Sequence, residues 1–246
     1  MTRFQQDSRL GADGVAGQAT LDAIVAELYL QSNPVPEVSW TIKDADGVSY
    51  RRFHGHGFQF HPLAAFGALN VEANQRRVDA ARRLAQALIA RGERGAGGLV
   101  WEYSFPFGGP NRWTSGFSQA VAATALLRAS ELTGHPKIAD AAAAAFRTIP
   151  RRYLHATNGG QWILEYSQSS LLILNAQIQS LLLISEYART TGDPDAKAIA
   201  ASMLTATRAA LPSLDLGCWS STRSAAIGRP RHTTSTTSRC CAGSPR

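Results

Sequence analysis

Glu165 and Tyr166 stand side by side in the segment Trp162-Ile-Leu-Glu165-Tyr166, between Gly160 and a stretch of helical character. A carboxylate and a phenol are both groups that can take and return a proton, so the pair has the makings of general acid–base chemistry. Read without context, the same stretch is first of all structural, a packed Trp and Tyr beside a solvated Glu. Asn175 and Gln177 follow at the head of the helix, and Leu214-Asp215-Leu-Gly217-Cys-Trp219-Ser220 adds a further carboxylate and indole. Two aromatic segments come earlier, Trp101-Glu102-Tyr103-Ser-Phe105-Pro-Phe107 and Trp113-Thr-Ser115-Gly-Phe-Ser-Gln119. Ser115 is placed to cap a helix rather than to act as a nucleophile, and no Ser-His-Asp arrangement is suggested.

Other chemistries find little support. Cys218, Cys240 and Cys241 match neither an even disulfide framework nor a metal spacing, and His54, His56 and His61 sit in a Gly/Phe-rich loop without a second cluster, so no metal is expected. The formal charge of +7 invites an anionic partner. Five arginines (Arg223, Arg229, Arg231, Arg239, Arg246) and no acid lie in 219–246, leaving a nearly neutral body of 20 basic and 18 acidic residues. A basic tail without interleaved aromatics is a poor nucleic-acid signature. No window approaches the ~18 apolar residues of a membrane span, and the N-terminus lacks the apolar core of a signal peptide.

The elements that must carry these residues are mainly helical. Val38, Trp40 and Ile42 alternate with polar residues up to Asp44-Ala-Asp-Gly47, with Val48 and Tyr50 beyond, which predicts a β-hairpin. Helical spacing then predicts helices over 63–69, 74–91, 115–132, 136–149, 170–189 and 194–211, with Pro62 suited to a first turn. An internal repeat orders them. Gln119…Thr133-Gly134-His-Pro136 and Gln177…Thr191-Gly192-Asp-Pro194 superpose at an offset of 58 residues. Such αα-hairpins stack, because one alone cannot bury its apolar face. The fold class expected is an incomplete (α/α) toroid of stacked helical hairpins with a small N-terminal β-hairpin.

In order along the chain, Gly57-Phe-Gln-Phe-His-Pro-Leu63, the Trp101 and Trp113 segments, Trp162–Tyr166, Leu174-Asn175 and the Asp215–Ser220 loop resemble the C-terminal catalytic domain of D-glucuronyl C5-epimerases. The resemblance implies epimerisation of uronosyl units in an acidic polysaccharide, without metal or cofactor. Inversion at C5 removes a weakly acidic proton beside a carboxylate and returns one from the opposite face, which needs two acid/base groups and a means of blunting the carboxylate charge. The resemblance makes Glu165 and Tyr166 the catalytic residues. It makes Trp101, Tyr103, Phe105, Trp113, Gln119, Trp162, Asn175, Asp215 and Trp219 substrate-binding, clustered aromatics being what sugar rings stack on. It also allows a homodimer and implies a cell-envelope or secreted setting for the parent protein.

The family's next tyrosine falls at position 222, which is Thr222, and its later Tyr-His-x-x-His segment is not legible. A one-base slip of the reading frame near Ser220 restores a tyrosine at 222 and a Tyr-His/Asp-Phe-His string over 232–236. On that reading 222–246 is a frameshifted, disordered tail, and the chain lacks part of its chemistry and is effectively inactive. Residues 2–24 resemble the closing part of a peptidoglycan-binding module, with Asp13-Gly14 as a turn and Thr20 as an N-cap, so a cell-wall glycan is a second expected partner. The expected organisation is therefore a module remnant over 1–30, linker and hairpin over 31–52, the epimerase-like domain over 53–221, and the tail. Two alternatives stand beside it: a non-catalytic glycan-binding product, and a uronate polysaccharide lyase on the same toroid, which shares proton abstraction at C5 and then eliminates.

Overall fold

The computed structural model describes residues 1–7, 11–17, 20–21, 24, 41–53, 57–95, 97–106, 110–214 and 223–224. After a short helix α1 (Thr2–Asp7), the chain forms a three-stranded antiparallel sheet, β1 (Thr41–Lys43), β2 (Ser49–Phe53) and β3 (Gly57–Phe60). The predicted turn is present. Asp44 accepts from the amides of Asp46 and Val48, Gly47 takes φ +84°, and Arg91 ties the turn to the helical body through a 2.7 Å ion pair with Asp44. Val38 and Trp40 lie outside the described residues, as do all of 31–40 and 13 of the residues in 1–30. Within 1–21, buried Gln5 donates to Asp13, the Val15 carbonyl and Thr20, and accepts from the amide of Gly14.

The body is built from a unit that recurs three times: a β-hairpin, an inner helix, then an outer helix. The first unit holds β2–β3, α2 (Pro62–Asn74) and α3 (Val78–Ala90). In the second, β4 (Glu93–Gly95) and β5 (Gly98–Val100) precede α4 (Gly116–Thr133) and α5 (Pro136–Phe146), with a short α6 (Thr148–Arg152) after them. In the third, β6 (Leu154–Thr157) and β7 (Gly160–Ile163) precede α7 (Leu174–Thr191) and α8 (Pro194–Leu214). Helices α2, α4 and α7 form one layer and α3, α5 and α8 back them, which makes an arc of an (α/α) toroid. The layers enclose one continuous apolar core running from Phe66 and Leu69 through Leu126 and Ile138 to Ile184 and Met203.

The predicted 63–69 helix runs on to Asn74 and the 194–211 helix to Leu214, and three further boundaries shift. The 74–91 helix starts at Val78 because Asn74 closes α2, the 136–149 helix divides into α5 and α6, and the 170–189 helix starts at Leu174. Residues Leu172–Ile173 form instead a strand, β8, paired with β9 (Arg223–Ser224) at the head of the segment expected to be disordered; the rest of that tail lies outside the described residues.

The 58-residue offset seen between two units extends to all three. Asn70, Arg128 and Glu186 occupy one register on the three inner helices and form a rung, Arg128 donating to Asn70 at 2.9 Å and pairing with Glu186 at 2.5 Å. Gly134 and Gly192 end α4 and α7 in the left-handed region, at φ 64° and 74°. The equivalent position after α2 is Arg76, at φ 55°. A left-handed residue with a Cβ costs about 1–2 kcal/mol and glycine's extra entropy about 0.5–1 kcal/mol, so Arg76→Gly should stabilise the fold by about 0.5–1 kcal/mol. Thermal unfolding should show a rise in Tm of about 2 °C; a fall would mean that the Arg76 side chain contributes more than its backbone costs.

Candidate active site

Residues 164–167 are fastened at both ends to the start of α4. The amide of Leu164 donates to the Tyr153 carbonyl at 2.8 Å and its carbonyl accepts from the amide of Gly116 at 3.0 Å. Gly116 has no room for a side chain, since a Cβ there would lie 2.4 Å from that carbonyl oxygen. At the other end, Ser167 donates its amide to Thr114 and accepts from the Thr114 amide through Oγ. Ser115, the N-cap of α4, accepts from the amide of Ser118, as its sequence position predicted. Glu165 and Tyr166 thus project from a two-residue span fixed on either side, and both are half-buried.

Beneath them lies an aromatic floor of Phe53, Tyr103, Phe105 and Trp113, against which Tyr166 packs. Tyr103 and Trp113 form an isolated β-bridge and stack face to face at 3.9 Å, and Trp113 approaches the Tyr166 ring at 5.6 Å. The Trp113 indole donates to the Phe105 carbonyl. Burial pushes the Tyr103 phenol up to about 12, and its oxygen accepts from the amide of Leu63. Tyr103 therefore stays protonated. Its electrostatic neighbours include Glu165, which places that carboxylate beside the floor.

His61 closes one side. As N-cap of α2 it accepts from the Ala64 amide through Nδ1, which leaves the proton on Nε2. Its ring lies parallel to Phe53 and edge-on to Tyr103, and burial, reinforced by the charge of Arg51, lowers its pKa to about 4.

Glu102-Tyr103 and Glu165-Tyr166 follow the β5 and β7 strands of consecutive units, yet their environments differ. In the first pair Glu102 is neutralised by Arg112 and Tyr103 is sealed in the floor, whereas the second pair retains exposure. Of the other expected substrate contacts, Asn175 is exposed in the first turn of α7. Tyr103, Phe105 and Trp113 shape the floor but are almost wholly buried.

Three expected contacts are placed in the framework instead. Trp101 is buried against Phe66 and donates to the Leu88 carbonyl. Trp162 is buried with Leu164, Leu172 and Leu214. Gln119 links β5 to α5 by donating to the carbonyls of Leu99 and Ala145. Gln177 does the same in the next unit, joining Ile163 and Gln161 to Met203 and Thr207. A buried amide bridging hairpin to outer helix is thus a structural part of the repeat. Asp215 and Trp219 lie outside the described residues, as do His54 and His56.

Sequence reasoning had not placed His61 or Arg51 at the site; the His61-Pro62 pair, a cap residue before an N1 proline, was the available signal. Among the described residues no cluster of His, Cys, Asp or Glu is arranged to hold a metal ion, and no helix is long and apolar enough to cross a membrane. A depression of about 300 Å³ lined by Ala73, Asn74, Arg76, Arg128, Glu131 and Leu132 lies at the C-terminal ends of α2 and α4, the opposite rim from Glu165 and Tyr166.

The sequence profile of the D-glucuronyl C5-epimerase C-terminus matches residues 92–237. No match was found among curated protein sequences. The fold is similar to that of a family 8 endo-β-1,4-glucanase from an Achatina fulica gut metagenomic library, with a TM-score of 0.60 and 16% identity over 83% of this chain and 64% of that one. It is also similar to a family 8 endoglucanase from Klebsiella pneumoniae (TM-score 0.54, 15% identity, 79% and 60% of the two chains). A cellobiose 2-epimerase from Spirochaeta thermophila matches at a TM-score of 0.52 and 18% identity over 65% of this chain and 46% of that one. The chain thus spans less than two thirds of the length of these structures, and it shares with them the fold of carbohydrate-processing enzymes.

Proposed function

The chain belongs to the D-glucuronyl C5-epimerase C-terminal family, and from that premise we propose that it acts on uronosyl units of an acidic polysaccharide by proton transfer at C5. The supporting observation is the Glu165–Tyr166 span, held between the Leu164 and Ser167 anchors over an aromatic floor. Tyr166 exchanges the proton with C5, and Glu165 beside it holds the phenol's proton. The electron pair left at C5 passes into the adjoining carboxylate, which is why that charge must be offset in the site. The floor, itself almost wholly buried, supports the half-buried Tyr166 ring from beneath.

The test is incubation with a glucuronosyl polymer in heavy water. Where a frameshifted tail would leave the chain inactive, a site holding only the Glu165–Tyr166 half should still give slow deuterium incorporation at C5 from one face, with no unsaturated uronate. An unsaturated product would assign the lyase reaction, which eliminates the 4-O substituent after the same first step. Binding without exchange would make the chain a glycan-binding protein.

A further inference from the structure

We propose that Arg51 and His61 form an anion subsite that receives the carboxylate of the uronosyl residue presented to Glu165 and Tyr166. The inference rests on the uronosyl reading above and adds a specific recognition element to it. Arg51 lies at the centre of β2, opposite Thr41 and Gln59 in the two ladders. Strand alternation puts it on the same face as Phe53, two residues on, and puts Arg52 on the other face. Phe53 is part of the floor, 4.3 Å from the Phe105 ring and parallel to His61. The sheet therefore aims Arg51 along the side of the sheet that closes on the aromatic cluster.

Arg51 is half-buried, and among the described residues it makes neither an ion pair nor a side-chain hydrogen bond. Other half-buried arginines of the body are engaged, Arg82 with Asp79, Arg91 with Asp44 and Asp46, and Arg128 with Glu186. A partly desolvated guanidinium without a counter-ion is costly, and an incoming anion relieves that cost. Its positive charge acts on both His61 and Tyr103, whose rings meet edge-on at 5.2 Å, and Tyr103 also feels the charge of Glu165.

The two donors suit a carboxylate. A guanidinium offers a planar fork that matches its two oxygens. His61, with Nδ1 occupied by the Ala64 amide, has Nε2–H as its remaining donor, and the N-cap bond fixes that tautomer. A neutral hexose of the same ring size lacks the group these donors recognise, so the pair should discriminate acidic from neutral glycans.

The experiment is calorimetric titration of the intact chain with two probes of equal length, an oligoglucuronate and a cello-oligosaccharide. The intact chain should prefer the oligoglucuronate. Arg51→Gln should weaken that ligand by about 10- to 100-fold, the range of a charged hydrogen-bonded contact, and leave cello-oligosaccharide binding unchanged. Arg52→Gln removes the same charge from the opposite face of the same strand and should leave the preference intact. Arg51→Lys, which keeps charge but not the fork, should fall between, and it serves as the readout if Arg51→Gln does not fold. Retention of full preference by the Arg51 variants overturns the subsite while the uronosyl reading stands; no preference in the intact chain removes the reading and the subsite together.

Discussion

Tyr166→Phe is expected to lower C5 hydrogen exchange by about 10²–10⁴-fold, the usual contribution of one positioned acid/base group, with little change in affinity for the polymer. The ring stays in place against Trp113, 5.6 Å away, so the substitution removes only the hydroxyl. Glu165→Gln should reduce exchange in the same direction while preserving the Leu164 and Ser167 anchors, none of which uses the Glu165 side chain. Deuterium incorporation at C5, measured beside binding by calorimetry, separates these effects. If Tyr166→Phe exchanges as fast as the unaltered chain, the phenol is not the proton-transfer group.

The largest stability effect should come from Gly160→Ala. Gly160 sits at φ +132°, a region closed to other residues, and a Cβ there would lie 2.3 Å from the Ser202 carbonyl oxygen of α8. Backbone meets backbone, so no side chain can swing aside. Gly98 in the preceding unit repeats the geometry at φ +128°, with the Ala144 carbonyl of α5 at 2.2 Å. Either substitution should cost about 3 kcal/mol or more, through strain and a displaced hairpin. Chemical denaturation is the measurement, and a midpoint close to that of the unaltered protein would show that the hairpins are not seated on the outer helices as described.

The repeat was legible in the sequence where chemistry forces it into residue types. Gly134 and Gly192 are needed for left-handed caps, and Pro136 and Pro194 for first turns, so the Thr-Gly-x-Pro signature marks two units. The first unit hides because Arg76 and Val78 fill the same positions. The β4–β5 and β6–β7 hairpins were missed because strands of three or four residues carry no measurable alternation. At the proposed site, Glu165 and Tyr166 were put forward through the family resemblance rather than through any pattern of their own. Trp101, Trp162 and Gln119 share that resemblance but are buried in the scaffold, because residues that set a hairpin on a helix recur along the chain as faithfully as residues that touch a ligand. Arg51 left no trace in spacing: only the pairing of β2 with β1 and β3 reveals the face it occupies.

The seating glycines and the inner helices keep different intervals. Gly98 and Gly160 stand 62 residues apart, while the first residues of α4 and α7, Gly116 and Leu174, stand 58 apart. The span that leaves the second hairpin is thus four residues longer than the one that leaves the third, although hairpin and helix keep the same mutual fit. The frame behaves as a socket of fixed pitch into which connections of unequal length can be plugged. Such a frame lets the rim be rewritten, by insertion, deletion or exchange between units, without renegotiating the packing below it.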